Sequence, residues 1–328
     1  MSLSHLHLVM NHVPTVGAVA ALGLLLLGFG RRNDHLKHAG LELLFVIAVL
    51  TLPVYVSGVA ALYELRERPD VSVDAMRIHQ DAALAGYVVM ELAGFIAWIA
   101  LWQWRRRGPS TGLGASPSTP LGASRAPHGM VIAATVLLFV ALAVMGRAAN
   151  LGGEIRHEEI RAAVGSVPAG EGDPDRFIAS KISDVAVNST WVWPAAEAVH
   201  FLGLSLTLGV LLAVNLRILG VMRQVPFADV HRLLPWGMLG FGVNLVTGMF
   251  FFVGQPGQYV QNAPFHWKIV FLMIAGANFL YLTVFGRAWG ADGLKSTIAD
   301  KAMAISSIVA WLGVLYAGRM LPFLGNAF

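Results

Sequence analysis

"HLHLVMNHVPTVGAVAALGLLLLGFG", residues 5–30, places three histidines directly before an apolar run that begins at residue 13. The run from 13 to 30 has roughly the 17–25 residues that a helix needs to cross the hydrocarbon core of a bilayer. Histidine adds nothing to the packing of such a helix, so His5, His7 and His12 need another explanation. The stretch therefore predicts a transmembrane helix that begins with polar side chains able to bind a metal.

The rest of the chain repeats this apolar pattern. Of its 328 residues, 56% are hydrophobic and 13% are charged, whereas soluble domains carry about 25% charged residues. The apolar runs are 13–30, 40–62, 82–102, 129–147, 192–214, 234–253, 268–286 and 302–322. Because lipid offers the backbone no hydrogen-bonding partner, runs of this length must be helical. The sequence predicts an all-α polytopic membrane protein with eight transmembrane helices.

Basic residues are concentrated in alternate loops, after spans one, three, five and seven. These residues are Arg31, Arg32, Lys37, Arg105, Arg106, Arg107, Arg217, Arg223, Arg232, Arg287, Lys295 and Lys301. The positive-inside rule places these loops in the cytoplasm and both termini in the periplasm. The first span has no basic segment before it and no cleavage site after it, which predicts a retained helix. We expect a multi-pass protein of the bacterial cytoplasmic (inner) membrane, in contact with lipid and not with nucleic acid.

Two longer segments separate the runs and define the predicted domains. "GPSTGLGASPSTPLGASRAP" at 108–127 is typical of a flexible cytoplasmic linker. The segment 148–190 begins as a helical continuation of span four and is either a periplasmic docking surface or a simple connector. We predict a four-helix membrane bundle over 1–165, a periplasmic connector over 166–190 and a second four-helix bundle over 191–328. No residue-level repeat between the halves is evident.

The chain contains no cysteine. This excludes disulfides, iron–sulfur clusters, thiolate metal sites and covalently attached c-type haem. Any redox centre must therefore be held by histidine, methionine or carboxylate side chains.

The deepest histidine is His200, nine residues into span five in "WPAAEAVHFLGLSLTLG". Ionisable groups inside a membrane are costly and usually serve a function. Gly203, one turn later, leaves room for a flat haem, and Glu197, Ser205 and Thr207 are candidate hydrogen-bond partners that would orient the imidazole. We interpret His200 as a ligand and not as a structural core histidine.

Further candidates lie near the ends of other spans. The candidate cofactor-binding residues are His7, His12, His79, His157, His200, His231 and His266, with Arg147 and Arg319 as cations for haem propionates; for a metal ion they are His12, His79, His200 and His266. The alternatives are interfacial histidines and arginines that extend to lipid headgroups. Glu91, in the middle of span three, has no obvious partner on its own helix and is protonated, paired or part of a proton path.

The opening "LHLVMNHVP" resembles a bacterial family of four-helix membrane proteins whose first span typically begins His-Pro-x-x-x-His-Phe-Pro. His7, His12 and Pro14 match that pattern, while Leu8 and Val13 depart from it. The family also tends to place a histidine at the start of its third span, like His79, and a Gly-Gly-x-x-x-His stretch at the end of its fourth, like "GGEIRH". The resemblance covers about 1–165.

From about residue 190 the chain resembles a second group, the four-helix b-type cytochromes and copper-resistance membrane proteins. The resemblance is carried by "WVWPAAEAVHFLGLSLTLGVLLAVNLRILG" and by the later "NAPFHWK". Asn215 stands where that pattern usually has aspartate. The resemblance implies a bundle that binds haem or a metal ion.

Together these features predict a membrane electron-transfer subunit, a b-type cytochrome that relays electrons between the quinone pool and a periplasmic redox partner. The predicted cofactor is haem b, and quinone is a further candidate ligand. Any enzymatic activity would be that of an oxidoreductase subunit within a larger complex. The alternatives are a histidine-based protein that handles copper or another metal, and a structural membrane anchor for a periplasmic enzyme complex.

Overall fold

The computed structural model describes residues 3–66, 68, 71–106, 127–156, 177–222, 224–285 and 296–324. Throughout this part of the chain the regular structure is helical. The helices are α1 (Leu3–Met10), α2 (His12–Gly30), α3 (Asp34–Leu65), α4 (Val73–Arg106), α5 (His128–Arg156), α6 (Ile178–Asn188), α7 (Val192–Leu219), α8 (Phe227–His231), α9 (Leu234–Gly254), α10 (Pro256–Val260), α11 (Ala263–Leu280), a π-helix (Tyr281–Phe285) and α12 (Ile298–Leu324).

Eight helical stretches are long and apolar enough to cross a membrane, and they contain the eight predicted runs almost in full. The prediction of an all-α protein with eight such helices is confirmed. Several helices extend well beyond their apolar runs: α3 has 32 residues and α4 has 34. The hydropathy of the sequence marks the part of a helix suited to lipid, but the backbone remains helical into the flanking polar residues.

Polar side chains fix where the helices begin and end. The Asn33 side chain accepts hydrogen bonds from the backbone N–H groups of His35 and Leu36, which satisfies the free donors at the start of α3. Thr297 and Asp300 bond reciprocally at the start of α12, as in a capping box. Gly220, with φ of 87°, ends α7 in the left-handed conformation that favours glycine.

The chain divides into two compact units, which are described separately. Unit 1 comprises Met1–Trp104 and Arg125–Asp184. In it α3 packs against α1 and α2, and α5 packs against α2 and α3. Helix α4 lies against α3, where Gly94 faces Ala48. As expected inside a membrane, a small residue allows the close approach.

Helix α6 begins within unit 1, in the region predicted as a periplasmic connector. The backbone N–H groups of Ile178 and Ala179 donate to the two carboxylate oxygens of Asp81 on α4, at 2.9 and 3.1 Å. A carboxylate at a helix N-terminus both caps it and complements its dipole. The described part of the connector is therefore helical and is attached to α4. The predicted linker 108–127, except Pro127, lies outside the described residues.

Unit 2 comprises Arg105–Ser124 and Val185–Phe328. Here α7 packs against α9 and α12, and α11 packs against α12. Helices α7 and α9 approach closely at Gly203 and Gly240, where Thr207 donates to the Gly203 carbonyl oxygen. Two glycines facing each other allow the backbones to come closer than larger side chains would permit.

Buried amides link the helices of unit 2. The side-chain amide of Asn215 on α7 donates to Ser307 at 3.0 Å, and that of Asn278 on α11 donates to Ser306 at 3.1 Å, both on α12. Asn244 instead donates to the Gly240 carbonyl oxygen of its own helix. Asn215, which replaces an aspartate of the resembled pattern, thus acts as a neutral hydrogen-bond donor.

Candidate functional site

The first candidate imidazole belongs to His7, on the short helix α1. Its Nδ1 lies 3.0 Å from the backbone carbonyl oxygen of Val54 on α3. A carbonyl oxygen only accepts, so Nδ1 carries the proton and donates it, and Nε2 keeps its lone pair. Gly58 lies beneath the ring: a Cβ at this position would come within 2.8 Å of the His7 Cε1. Glycine at position 58 therefore makes the space in which this imidazole sits.

His79, near the start of α4, is held in the same way. Its Nδ1 donates to the backbone carbonyl oxygen of Ala148 on α5 at 2.8 Å, again leaving a lone pair on Nε2. A Cβ at Gly152, one turn further along α5, would lie 3.1 Å from the His79 Cε1. His79 is also close enough to His7 for the two rings to interact electrostatically. The structure thus places two of the predicted ligands of unit 1 within electrostatic range of each other.

A stripe of polar side chains continues along α4 from His79 toward the middle of the helix. Gln80, Tyr87 and Glu91 are spaced seven and four residues apart and share one face of the helix. The Tyr87 ring stacks on Tyr55 of α3, with 5.1 Å between ring centroids. Glu91 interacts electrostatically with the Tyr87 hydroxyl one turn earlier. The carboxyl therefore has a neighbour on its own helix, which sequence reasoning missed.

In unit 2 the candidate imidazole is that of His200 on α7. Its Nδ1 lies 2.7 Å from the Thr247 hydroxyl oxygen on α9, and that hydroxyl donates its only proton to the Val243 carbonyl oxygen, also at 2.7 Å. The hydroxyl serves both neighbours if it accepts from His200, and in that arrangement Nδ1 carries the proton and Nε2 keeps its lone pair. Phe251 packs edge-on against the ring, with 5.7 Å between ring centroids.

The predicted hydrogen-bond partners of His200 lie elsewhere. Glu197 accepts a hydrogen bond from the Trp193 indole at 3.1 Å, Ser205 is exposed, and Thr207 bonds its own helix. Thr247 was not predicted because it lies in a different span. Its only sequence signal is the Thr-Gly pair inside the apolar run 234–253. That pair points to His200 only when α7 and α9 are known to pack against each other.

The remaining candidates are dispersed. His12, the first residue of α2, is exposed. His266, on α11, bonds through Nε2 to the Val260 carbonyl oxygen at 3.0 Å. His231 ends the short helix α8, between α7 and α9, away from the end of the unit where His200 and Thr247 meet. His157 lies outside the described residues.

The two candidate cations lie at the helix surface. Arg147 on α5 is exposed, and so is Arg319 on α12, whose guanidinium lies 5.5 Å from the centroid of the Phe323 ring. Among the described residues no three histidine, aspartate or glutamate side chains are grouped closely enough to hold a metal ion. The assignments of His7, His12, His79, His157, His200, His231, His266, Arg147 and Arg319 to a cofactor, and of His12, His79, His200 and His266 to a metal ion, stay predictions.

The feature shared by three imidazoles is their orientation by a helix of the same unit. His7 and His79 donate from Nδ1 and His200 bonds Thr247 through the same nitrogen, and within the described chain the Nε2 of each makes no hydrogen bond. No protein family, curated protein or solved structure matches the chain. The resemblances of its two halves to four-helix membrane families therefore stay predictions, and the candidate site rests on its own geometry.

Proposed function

We propose that this protein is a membrane electron-transfer subunit that holds haem b through His7 and His79. The observation that carries this proposal is the shared state of the two imidazoles. Each is fixed by an Nδ1 hydrogen bond to a helix carbonyl oxygen and presents a free Nε2. A hydrogen bond at one ring nitrogen is the usual arrangement for a histidine that binds a metal through the other, since it fixes the tautomer and the ring orientation.

The residues present fit a haem. Haem b needs neutral nitrogen or sulfur ligands and no covalent attachment, which suits a chain with eleven histidines and no cysteine. The flat macrocycle needs helices that approach without side chains, and glycines 58 and 152 lie directly against the two rings. Haem would need only two ligands from the protein, which two imidazoles on separate helices could supply, so a cluster of three is not required.

The haem would supply the redox chemistry, and the chain would set the conditions for it. The carbonyl oxygens of Val54 and Ala148 hold the imidazoles as neutral Nδ1–H tautomers. Tyr87 and Glu91 carry polar groups from this end of α4 into the span. These groups are candidates for moving a proton toward the site.

The wider setting forms part of the same proposal. We place the protein in the bacterial inner membrane as two four-helix bundles with both termini in the periplasm, where it would pass electrons between the quinone pool and a periplasmic cytochrome or oxidoreductase. The basic loops after spans one, three, five and seven support that orientation. Quinone binding and the partner subunits rest on this orientation and on the predicted class of protein.

The experiment that tests the proposal is a reduced-minus-oxidised absorption spectrum of the purified full chain, with metal analysis of the same sample. We expect iron in the form of haem b, with the sharp bands of a low-spin centre that has two nitrogen ligands. Copper or zinc in place of iron would favour the metal-handling alternative. A sample with neither haem nor metal, even after growth with added haem precursor, would contradict the proposal.

Two adjacent glycines on α5 provide a matched test of the site's geometry. We expect Gly152→Ala to weaken haem binding about 10-fold, in the range seen when groups that orient a ligand are disturbed, because the new methyl would lie 3.1 Å from the His79 ring. Gly153→Ala is the control, since a Cβ there meets nothing within 4 Å. The measurement is the haem dissociation constant of each variant. Equal affinities in the two variants would contradict the placement of the haem beside His79.

A further inference from the structure

The two units repeat one arrangement that the sequence does not reveal. In each, the histidine of the first span is fixed through Nδ1 to the second span, beside a hydroxyl residue followed by glycine. The pairs are Ser57–Gly58 beside His7 and Thr247–Gly248 beside His200. A Cβ at the glycine would lie 2.8 Å from the ring in unit 1 and 3.7 Å in unit 2. The first two spans of each unit thus present their imidazole in the same way.

The third and fourth spans continue the correspondence. In unit 1, His79 near the start of the third span lies against Gly152 of the fourth. In unit 2, Lys268 near the start of the third span lies against Gly318 of the fourth, where a Cβ would be 3.8 Å from the lysine Nζ. Lys268 therefore stands in unit 2 where His79 stands in unit 1.

In both units the basic group of the third span also lies within electrostatic range of the first-span histidine. The pairs are His7 with His79 and His200 with Lys268. Unit 2 therefore has one imidazole and one ammonium group where unit 1 has two imidazoles. The two pairs of basic groups thus occupy corresponding positions in their units but differ in chemistry.

Lys268 lacks a compensating charge. It lies inside the span Ala263–Val284, and no described carboxylate comes within 4.0 Å of its Nζ. Glu197, the acidic residue of α7, is bonded to the Trp193 indole. A cation held in apolar surroundings is costly unless an anion is paired with it. A ligand that brings an anionic group would supply that partner.

We propose that His200 and Lys268 form a binding site in unit 2 for a ligand that carries a carboxylate, with Lys268 paired to the carboxylate and the free Nε2 of His200 facing the ligand body. Phe251, packed against the His200 ring, supplies an apolar wall. Two sources share this chemistry: the propionate of a second haem, which rests on the proposed function, and the carboxylate of a membrane fatty acid, which is independent of it.

The test measures the affinity of the purified full chain for three probes: haemin, haemin dimethyl ester, in which both carboxylates are blocked, and oleate. For a haem source, we expect haemin to bind more than about 10-fold tighter than the ester, as for a desolvated charge pair. Lys268→Gln should remove that preference and Lys268→Arg should keep it. For a fatty-acid source, Lys268→Gln should weaken oleate to a similar extent.

Lys301→Gln is the matched control, since this lysine is exposed at the start of α12 in the same unit. It should change none of the affinities. The ratio of haemin to ester affinity is measured in the double variant His7→Ala, His79→Ala, so that the haem proposed for unit 1 does not contribute to it. This ratio needs no change at Lys268, so the test survives if Lys268→Gln does not fold. Equal binding of haemin and its ester, together with oleate binding that Lys268→Gln leaves unchanged, would overturn the proposal. Spectra that show no haem at His7 and His79 would contradict the proposed function alone.

Discussion

Replacement of His79 by alanine is expected to remove most of the haem from unit 1. If His79 binds haem iron as proposed, the variant loses a ligand outright, so the loss of affinity should exceed the roughly 10- to 100-fold that follows when only an orienting group is removed. The same result is expected for His7→Ala, because under the proposal both imidazoles are needed to hold the haem. The measurement is haem content per polypeptide after purification, with the reduced spectrum of what remains.

Added imidazole separates a lost ligand from a damaged fold. If His79 binds iron, free imidazole should enter the space left by the side chain and restore the low-spin spectrum of His79→Ala. His5→Ala is the control, since His5 is exposed on the same short helix as His7. Full haem content in both His7→Ala and His79→Ala would remove these residues as ligands. Haem loss without any recovery in imidazole would assign them a structural role.

The second large effect is expected from Gly240→Ala, where α9 crosses α7. The new Cβ would lie 2.6 Å from the Thr207 hydroxyl oxygen and 2.7 Å from the Gly203 carbonyl oxygen. Since one of these is backbone, the two helices must separate. Overpacking of this kind typically costs about 1–3 kcal/mol. We expect a lower thermal unfolding midpoint in detergent and a weakened contact between His200 and Thr247, which depends on the same pair of helices.

Gly209→Ala is the matched control for that variant. It lies on α7, and a Cβ there meets nothing within 4 Å. Its helix should be slightly more stable, because alanine has a higher helix propensity than glycine. The comparison therefore predicts opposite shifts from the same chemical change. A midpoint for Gly240→Ala at or above that of Gly209→Ala would contradict the close helix crossing.

The spans were predictable because a backbone in lipid must satisfy its own hydrogen bonds, and an apolar run of this length does so as a helix. Hydropathy alone placed all eight, but it could not show that α3 and α4 continue into polar flanks. Helix α6 was missed because it begins on a carboxylate from another helix, Asp81, and not on a local capping residue. Such a signal exists only once the helices have packed.

The candidate site was predictable in its residue type and not in its pairing. The sequence singled out His7, His79 and His200. The groups that orient His7 and His79 are backbone carbonyl oxygens, and because every residue has one, the sequence cannot indicate which of them is the partner. The repeat between the units was hidden for a similar reason. Ser57 corresponds to Thr247, and the basic groups of the third spans differ. The two units therefore share contacts between corresponding positions but not the residue types at those positions.

Pro14 has a consequence for local unfolding at the start of the helical stretch Leu3–Gly30. Asn11 stays helical and donates to the His7 carbonyl oxygen, but Pro14 has no N–H to donate to Met10. The helix is weakest at this point, so α1 depends on its attachment to α3, through the bond from His7 to Val54 and the bond from Ser4 to Glu64. This segment should open without the rest of the chain. Amide exchange along α1 would then report whether His7 keeps its hydrogen bond to Val54.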